Sequence, residues 1–226
     1  MVKAGIDQDA LIAVVSQAGV RQGELVRKAV FEATLKALQG RELTLENIRR
    51  VLKAATLASS NGAALNECSP EEVETLLSKA IAGMDAALIK AVEANRTALQ
   101  QFMDLGVGLQ DGNMKSALDN LARLEEVFIA AVGKVVEVSA RPVQGPWRHV
   151  LDHMKHHGTA TGQQATEVVE RLMEQSHTAL RSGRAASVRA AQAMMESYGS
   201  LVSGVLIGMS EGMAKAAPAA KRASRK

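Results

Sequence analysis

Between residues 77 and 102 the inward positions fall at alternating steps of three and four, apolar except at Asn95: Leu77, Ile81, Met84, Leu88, Ala91, Asn95, Ala98 and Phe102. That spacing keeps one side of an α-helix apolar for about seven turns and makes a seam for a partner helix. A strand would instead alternate every second residue, and no stretch does so long enough to propose a sheet. The seam also has a clear beginning. Ser69 is a good N-cap, Pro70 suits the first helical position, and Glu72 completes a capping box. A second seam follows in Met114, Leu118, Leu121, Leu124, Phe128, Ala131, Val135 and Val138. The intervening GVGLQDGN (106–113) reads as a turn, so residues 67–140 are expected to form an antiparallel helical hairpin.

The flanking sequence reads the same way. A short helix is expected over 8–18 with Asp7 as its cap, a second over 22–39 ending at Gly40, and a third after Thr44. SSNGAALNEC (59–68) breaks that third pattern, and residues 1–66 make a unit of short helices. RPVQGP (141–146) is a second break. Trp147 then opens a short helix to about residue 156. Thr159 is placed to cap a very long one from about 160 to 215, with Gly162 and Gly183 as weak points. This third unit spans 141–214. Phe31, Phe102, Phe128, Trp147 and Tyr198 are the only aromatic residues, which favours thin helix-on-helix packing over a deep core. The fold expected is all-α: an elongated helical bundle with coiled-coil-like hairpins and a long C-terminal helix.

Within that last helix, Ser200, Gly204, Gly208 and Gly212 recur every fourth residue, flanked by Leu201, Val205 and Met209. Glycine costs about 1 kcal/mol in a helix interior relative to alanine, so this stripe needs a reason. Close helix–helix approach, within the chain or between copies, is one reason. A flat face held against a hydrophobic surface is another. The uncharged run between Glu196 and Glu211 is 14 residues, short of the roughly 20 that span a bilayer.

Charge is divided unevenly. Residues 1–140 carry 15 basic and 18 acidic side chains, and residues 141–226 carry 12 and 6, a balance of −3 against +6. The end, KAAPAAKRASRK (215–226), holds Lys215, Lys221, Arg222, Arg225 and Lys226 and no acid. It reads as a disordered basic tail able to meet anionic lipid, nucleic acid or an acidic partner. Cys68 is the only cysteine, so no internal disulfide forms. With no signal peptide or spanning segment in view, the chain is expected in the cytoplasm, or on inclusions or the inner face of the membrane.

Catalytic patterns are scarce. His149, His153 and His157 repeat at steps of four on one helix face, and histidine is a common metal ligand. Three successive turns, however, set them along a line and not around a point. Glu174 and His177 have the spacing used in di-iron bundles, but the second such pair that those sites require is missing. GTATG (158–162) offers amides at a helix start yet lacks the lysine of a phosphate loop. Cys68 has Glu67 beside it and no histidine nearby in sequence to activate it. The expectation is a protein without enzymatic activity, cofactor or small-molecule substrate.

In its alanine-rich, cysteine-poor helical composition, its amphipathic stretches at 70–103 and 160–215, and its small-residue basic end AAPAAKRASRK, the chain resembles the phasins. These proteins coat polyhydroxyalkanoate storage granules in bacteria. The resemblance implies a homo-oligomeric, non-catalytic coat on a storage granule or an anionic membrane face. It carries over no individual residue. A cytoplasmic coiled-coil scaffold without a lipid role is the alternative. A nucleic-acid-associated protein acting through the basic tail is the third reading, weakened by the lack of aromatic stacking platforms.

Overall fold

The second helical seam does not pair with the first. The computed structural model describes residues 5–39, 42–109, 111–182, 195 and 198–223. Side chains are described through 176 (Val20 excepted), at 195 and from 198 to 211. Among the described residues every regular element is helical. The elements are α1 (Gln8–Gln17), α2 (Gly23–Gln39), α3 (Leu45–Ala64), α4 (Pro70–Asp104), α5 (Gly112–Ala122), α6 (Leu124–Val136), α7 (Arg141–His157), α8 (Ala160–Ser182) and α9 (Tyr198–Ala223). A short 3-10 turn, Val20–Gln22, leads into α2.

Helix α4, 35 residues long, is the axis on which most of the others are laid. At 1.5 Å per residue it is about 50 Å long. Its seam is buried as expected, from Leu77 through Met84, Leu88 and Ala91 to Phe102. Other faces are buried too, because α2, α3, α7, α8 and α9 all pack on it. Helix α2 is its most extensive neighbour. Helices α1 and α6 lie instead on α3. The expected hairpin is therefore corrected: α6 runs against α3, and the α5–α6 segment is not one rod but is broken at Arg123. One buried hydrophobic cluster draws residues from Leu11 to Leu206, so the boundaries placed near 66 and 140 fall between helices that share a core.

Side-chain caps open several of the helices, at Asp7 as expected. Asp7 accepts from the Ala10 amide, Thr44 from Asn47, and Asp111 from Asn113 and Met114. The Ser69–Glu72 capping box is complete. Each cap satisfies amides that the first helical turn leaves without a partner.

Two expected breaks are helix. Residues 59–64 continue α3 and are largely buried, with Gly62 against α1 and Ser60 paired with Ser139 beyond α6 at 2.7 Å. A Cβ at Gly62 would stand 2.7 Å from Val15 Cβ and 2.8 Å from the Ile12 carbonyl oxygen. Small side chains there reflect close backbone approach, not a loop. Asn66 then donates to the Val15 and Ala18 carbonyls, both at 2.9 Å, and closes the end of α1. Likewise α7 begins at Arg141, not Trp147. Pro142 lies in the first turn, where a missing N–H costs nothing, and Pro146 forfeits one bond in exchange for a buried site. Trp147 is wholly buried.

The middle of the expected 160–215 helix, 183–194, lies outside the described residues, which show α8 and α9 on either side. Residues 215–223, expected as a structureless tail, continue the helical backbone of α9 through Pro218, whose lost backbone bond works against the helix propensity of the alanines around it. Arg225 and Lys226 lie outside the described residues, as do the side chains of Lys215, Lys221 and Arg222.

Candidate functional site

The small-residue stripe of α9 faces outward. Ser200, Gly204 and Gly208 are exposed, and a Cβ built at Gly204 or Gly208 meets nothing within 4 Å. Close approach inside the chain is thus not what these glycines serve. Gly212 belongs to the same helix, and its surroundings lie outside the described residues. The opposite side of α9 carries the packing: Val202 and Leu206 are buried, while Leu201, Val205 and Met209 are half-buried against the core. Ile207 is exposed beside Gly208. The outer face thus combines Ser200, Gly204 and Gly208 with the larger exposed side chains Ile207 and Glu211.

Polar contacts at the start of α9 hold it on the bundle. The Tyr198 hydroxyl donates to the Asn95 side-chain oxygen on α4, and its ring lies 6.3 Å from that of Phe102. Asn95, the one polar member of the α4 seam, also donates to Ala91 O at 2.7 Å. The Gly199 carbonyl accepts from the Leu43 amide at 3.2 Å, and Ser203 Oγ donates to the Gln39 carbonyl at 3.2 Å. Burial pushes the Tyr198 hydroxyl pKa well above its ordinary value of 10, since the phenolate would lose its water.

The helix start at GTATG is already occupied from within. Glu125 on α6 accepts from the Thr159 amide at 2.6 Å and from its hydroxyl at 3.0 Å. Asp85 on α4 accepts from the Ala160 and Thr161 amides, both at 3.0 Å. Thr159 Oγ1 in turn accepts from Gly162 N at 3.0 Å, which is the cap the sequence implied. Two carboxylates thus sit where a phosphate would bind and satisfy the positive end of the helix themselves. Gly162 is needed here, because a Cβ would collide with the Glu125 carboxylate. A shallow cleft of about 400 Å³ beside it is lined by Glu125, Glu167, Glu170 and Thr166.

The histidines are spread along α7. His149 donates from Nδ1 to Glu74 on α4 at 2.9 Å. His153 and His157 stack with ring centroids 4.3 Å apart, and His157 Nδ1 donates to the His153 carbonyl at 3.1 Å. All three are exposed. Among the described residues no group of three or more His, Cys, Asp and Glu side chains is arranged to hold a metal. His177, of the Glu174 pair, has its side chain outside the described residues. Cys68 is half-buried, and burial, with Glu72 nearby, pushes its thiol up and away from the reactive thiolate.

Sequence reasoning missed the glycines that do permit contact. A Cβ at Gly83 would strike the Arg27 carbonyl oxygen and lie 3.1 Å from Val30 Cβ, so α2 rests directly on the α4 backbone. The available signal was a second small stripe beside the α4 seam, Ala80, Gly83, Ala87 and Ala94, all buried.

Fold and face together define, among the described residues, an all-α bundle organised on one long helix, with a docked helix α9 whose outer face carries Gly204 and Gly208. The chain belongs to a family of unknown function, DUF6781, which it matches over residues 1–215. No curated protein and no solved structure matches it. No helix among the described residues is long and apolar enough to cross a membrane.

Proposed function

We propose that this is a non-catalytic helical protein that self-associates and contacts a hydrophobic surface, as a phasin-like coat does, through the outward face of α9. The observation that carries this reading is the open space over Gly204 and Gly208. Each glycine costs about 1 kcal/mol of helix stability and yields no contact inside the chain. A face kept flat at that cost suits an apposed surface or a second helix. Leu201, Val205 and Met209 border it, and Lys215, Lys221, Arg222, Arg225 and Lys226 follow in sequence, where anionic groups of a granule or membrane would attract them.

The test is flotation of the full-length protein with polyhydroxyalkanoate granules and with phosphatidylglycerol vesicles, beside an Ile207→Glu, Gly208→Glu variant. Both substitutions fall at exposed positions. The native protein is expected to float, and the variant to remain in the dense fraction with a thermal midpoint no lower than the native one. A native protein that stays oligomeric and does not float is a scaffold without a lipid role. DNA retardation that weakens steeply with salt would instead favour the nucleic-acid reading.

A further inference from the structure

Helix α9 rests on α4 and α2 through a narrow buried stripe. Over 198–211 its buried positions are Gly199, Val202, Ser203 and Leu206, one narrow stripe in which only Val202 and Leu206 bring an apolar side chain, with Tyr198, Leu201, Val205 and Met209 half-buried beside it. Helix α4, by contrast, buries residues all along its length on several faces. The sequence of α9 also opposes helix formation, because Gly199, Gly204 and Gly208 each weaken it and two of them gain no packing in return. A helix of this composition persists only while docked. Among the described residues its hydrogen bonds to the bundle lie at its start: Tyr198 to Asn95, Gly199 to Leu43, and Ser203 to Gln39.

We propose that α9 is a detachable strap, which unfolds and lifts off α4 as one unit while the bundle of α1–α8 stays folded, with the Tyr198–Asn95 hydrogen bond as its latch. Regions with few buried apolar contacts open at lower free energy than the global core, in cooperative segments. Opening frees Leu201, Val202, Val205, Leu206 and Met209 to meet another apolar surface, and uncovers Phe102 and Asn95 on α4. The use of those freed side chains on a hydrophobic surface rests on the reading above, whereas the opening itself does not.

Hydrogen exchange of the full-length protein, read by mass spectrometry under native conditions, tests this. Amides of 199–211 are expected to exchange at least a hundredfold faster than those of 84–99. Tyr198→Phe leaves the Asn95 oxygen without its donor and should speed α9 exchange about tenfold with α4 unchanged. Gly204→Ala and Gly208→Ala, at exposed positions where folding is not at risk, should each slow it about fivefold. Exchange of 199–211 at the same rate as 84–99, or variants that shift both segments equally, would show that α9 opens only when the whole chain unfolds and would overturn the strap.

Discussion

Two pairs of glycines in this chain do opposite work. Gly62 and Gly83 lie where one helix rests on the backbone of another, α1 on α3 and α2 on α4, and an added methyl group has nowhere to go. Gly204 and Gly208 lie on the outer face of α9 with open space above them. By composition all four are helical glycines among apolar and small neighbours. The regular four-residue spacing of the second pair looks like the stronger packing signal, yet the first pair does the packing. Spacing reports that one face is small. Burial of the positions on either side decides whether that face points in. On α4 the neighbours Ala80 and Ala87 are buried, while on α9 Ser200 is exposed.

The sharpest way to break this contrast is substitution at the buried pair. Gly83→Ala forces a methyl against a backbone carbonyl that cannot move without shifting α2. It is expected to lose about 3 kcal/mol in urea unfolding, and Gly62→Ala somewhat less. A loss below 0.5 kcal/mol, the order of an ordinary surface change, would mean the two helices do not touch there.

Next in size is the start of α8. Asp85→Ala removes a carboxylate that serves two backbone amides, with an expected cost of about 1–2 kcal/mol by the same denaturation. Added phosphate should recover little of it while Glu125 still holds Thr159. Strong phosphate rescue would reveal an anion site where the geometry shows an internal cap.

A smaller effect tests the attachment of α9. Tyr198 is held protonated in the folded state, with its pKa raised above 10 by burial. The unfolded chain releases that proton near pH 10, so the stabilisation is complete below this value and declines as pH rises above it. Tyr198→Phe should cost about 1 kcal/mol at pH 8 and flatten the alkaline decline. A native and a variant protein with parallel stability between pH 8 and 11 would contradict the buried hydroxyl.

Last come the outward glycines, where the sign reverses. Gly204→Ala and Gly208→Ala should each stabilise the fold by up to about 1 kcal/mol, since alanine favours the helix and meets no obstruction. Destabilisation at either position would place α9 the other way round.

How much of this could be read from sequence follows from where each signal resides. The Ser69–Glu72 box and the seam from Leu77 to Phe102 are local, and α4 matches them closely. Asp7, Thr44 and Thr159 are likewise legible as caps because the cap and its amides are three residues apart. The stretches at 59–64 and 141–146 look like breaks in sequence but are helical, since serine, glycine and proline are turn residues only in isolation. Only a crossing helix makes Ser59 and Gly62 suitable for a buried helical surface. The partner of α4 was invisible for a related reason: a seam says that a helix is wanted, not which one. Asp85 and Glu125 reach the start of α8 from helices 75 and 34 residues away in sequence, and no local pattern announces them.

The central claim is that the face of Gly204 and Gly208 serves contacts outside the chain. Sedimentation equilibrium of the native protein beside a Gly204→Leu, Gly208→Leu variant tests it most directly. Leucine fits the open space and favours the helix, so the fold should be at least as stable. The native protein is predicted to form a defined oligomer, and the variant to lose it or change its mass while unfolding at an equal or higher temperature. The same mass for both, with the fold intact, would contradict the claim.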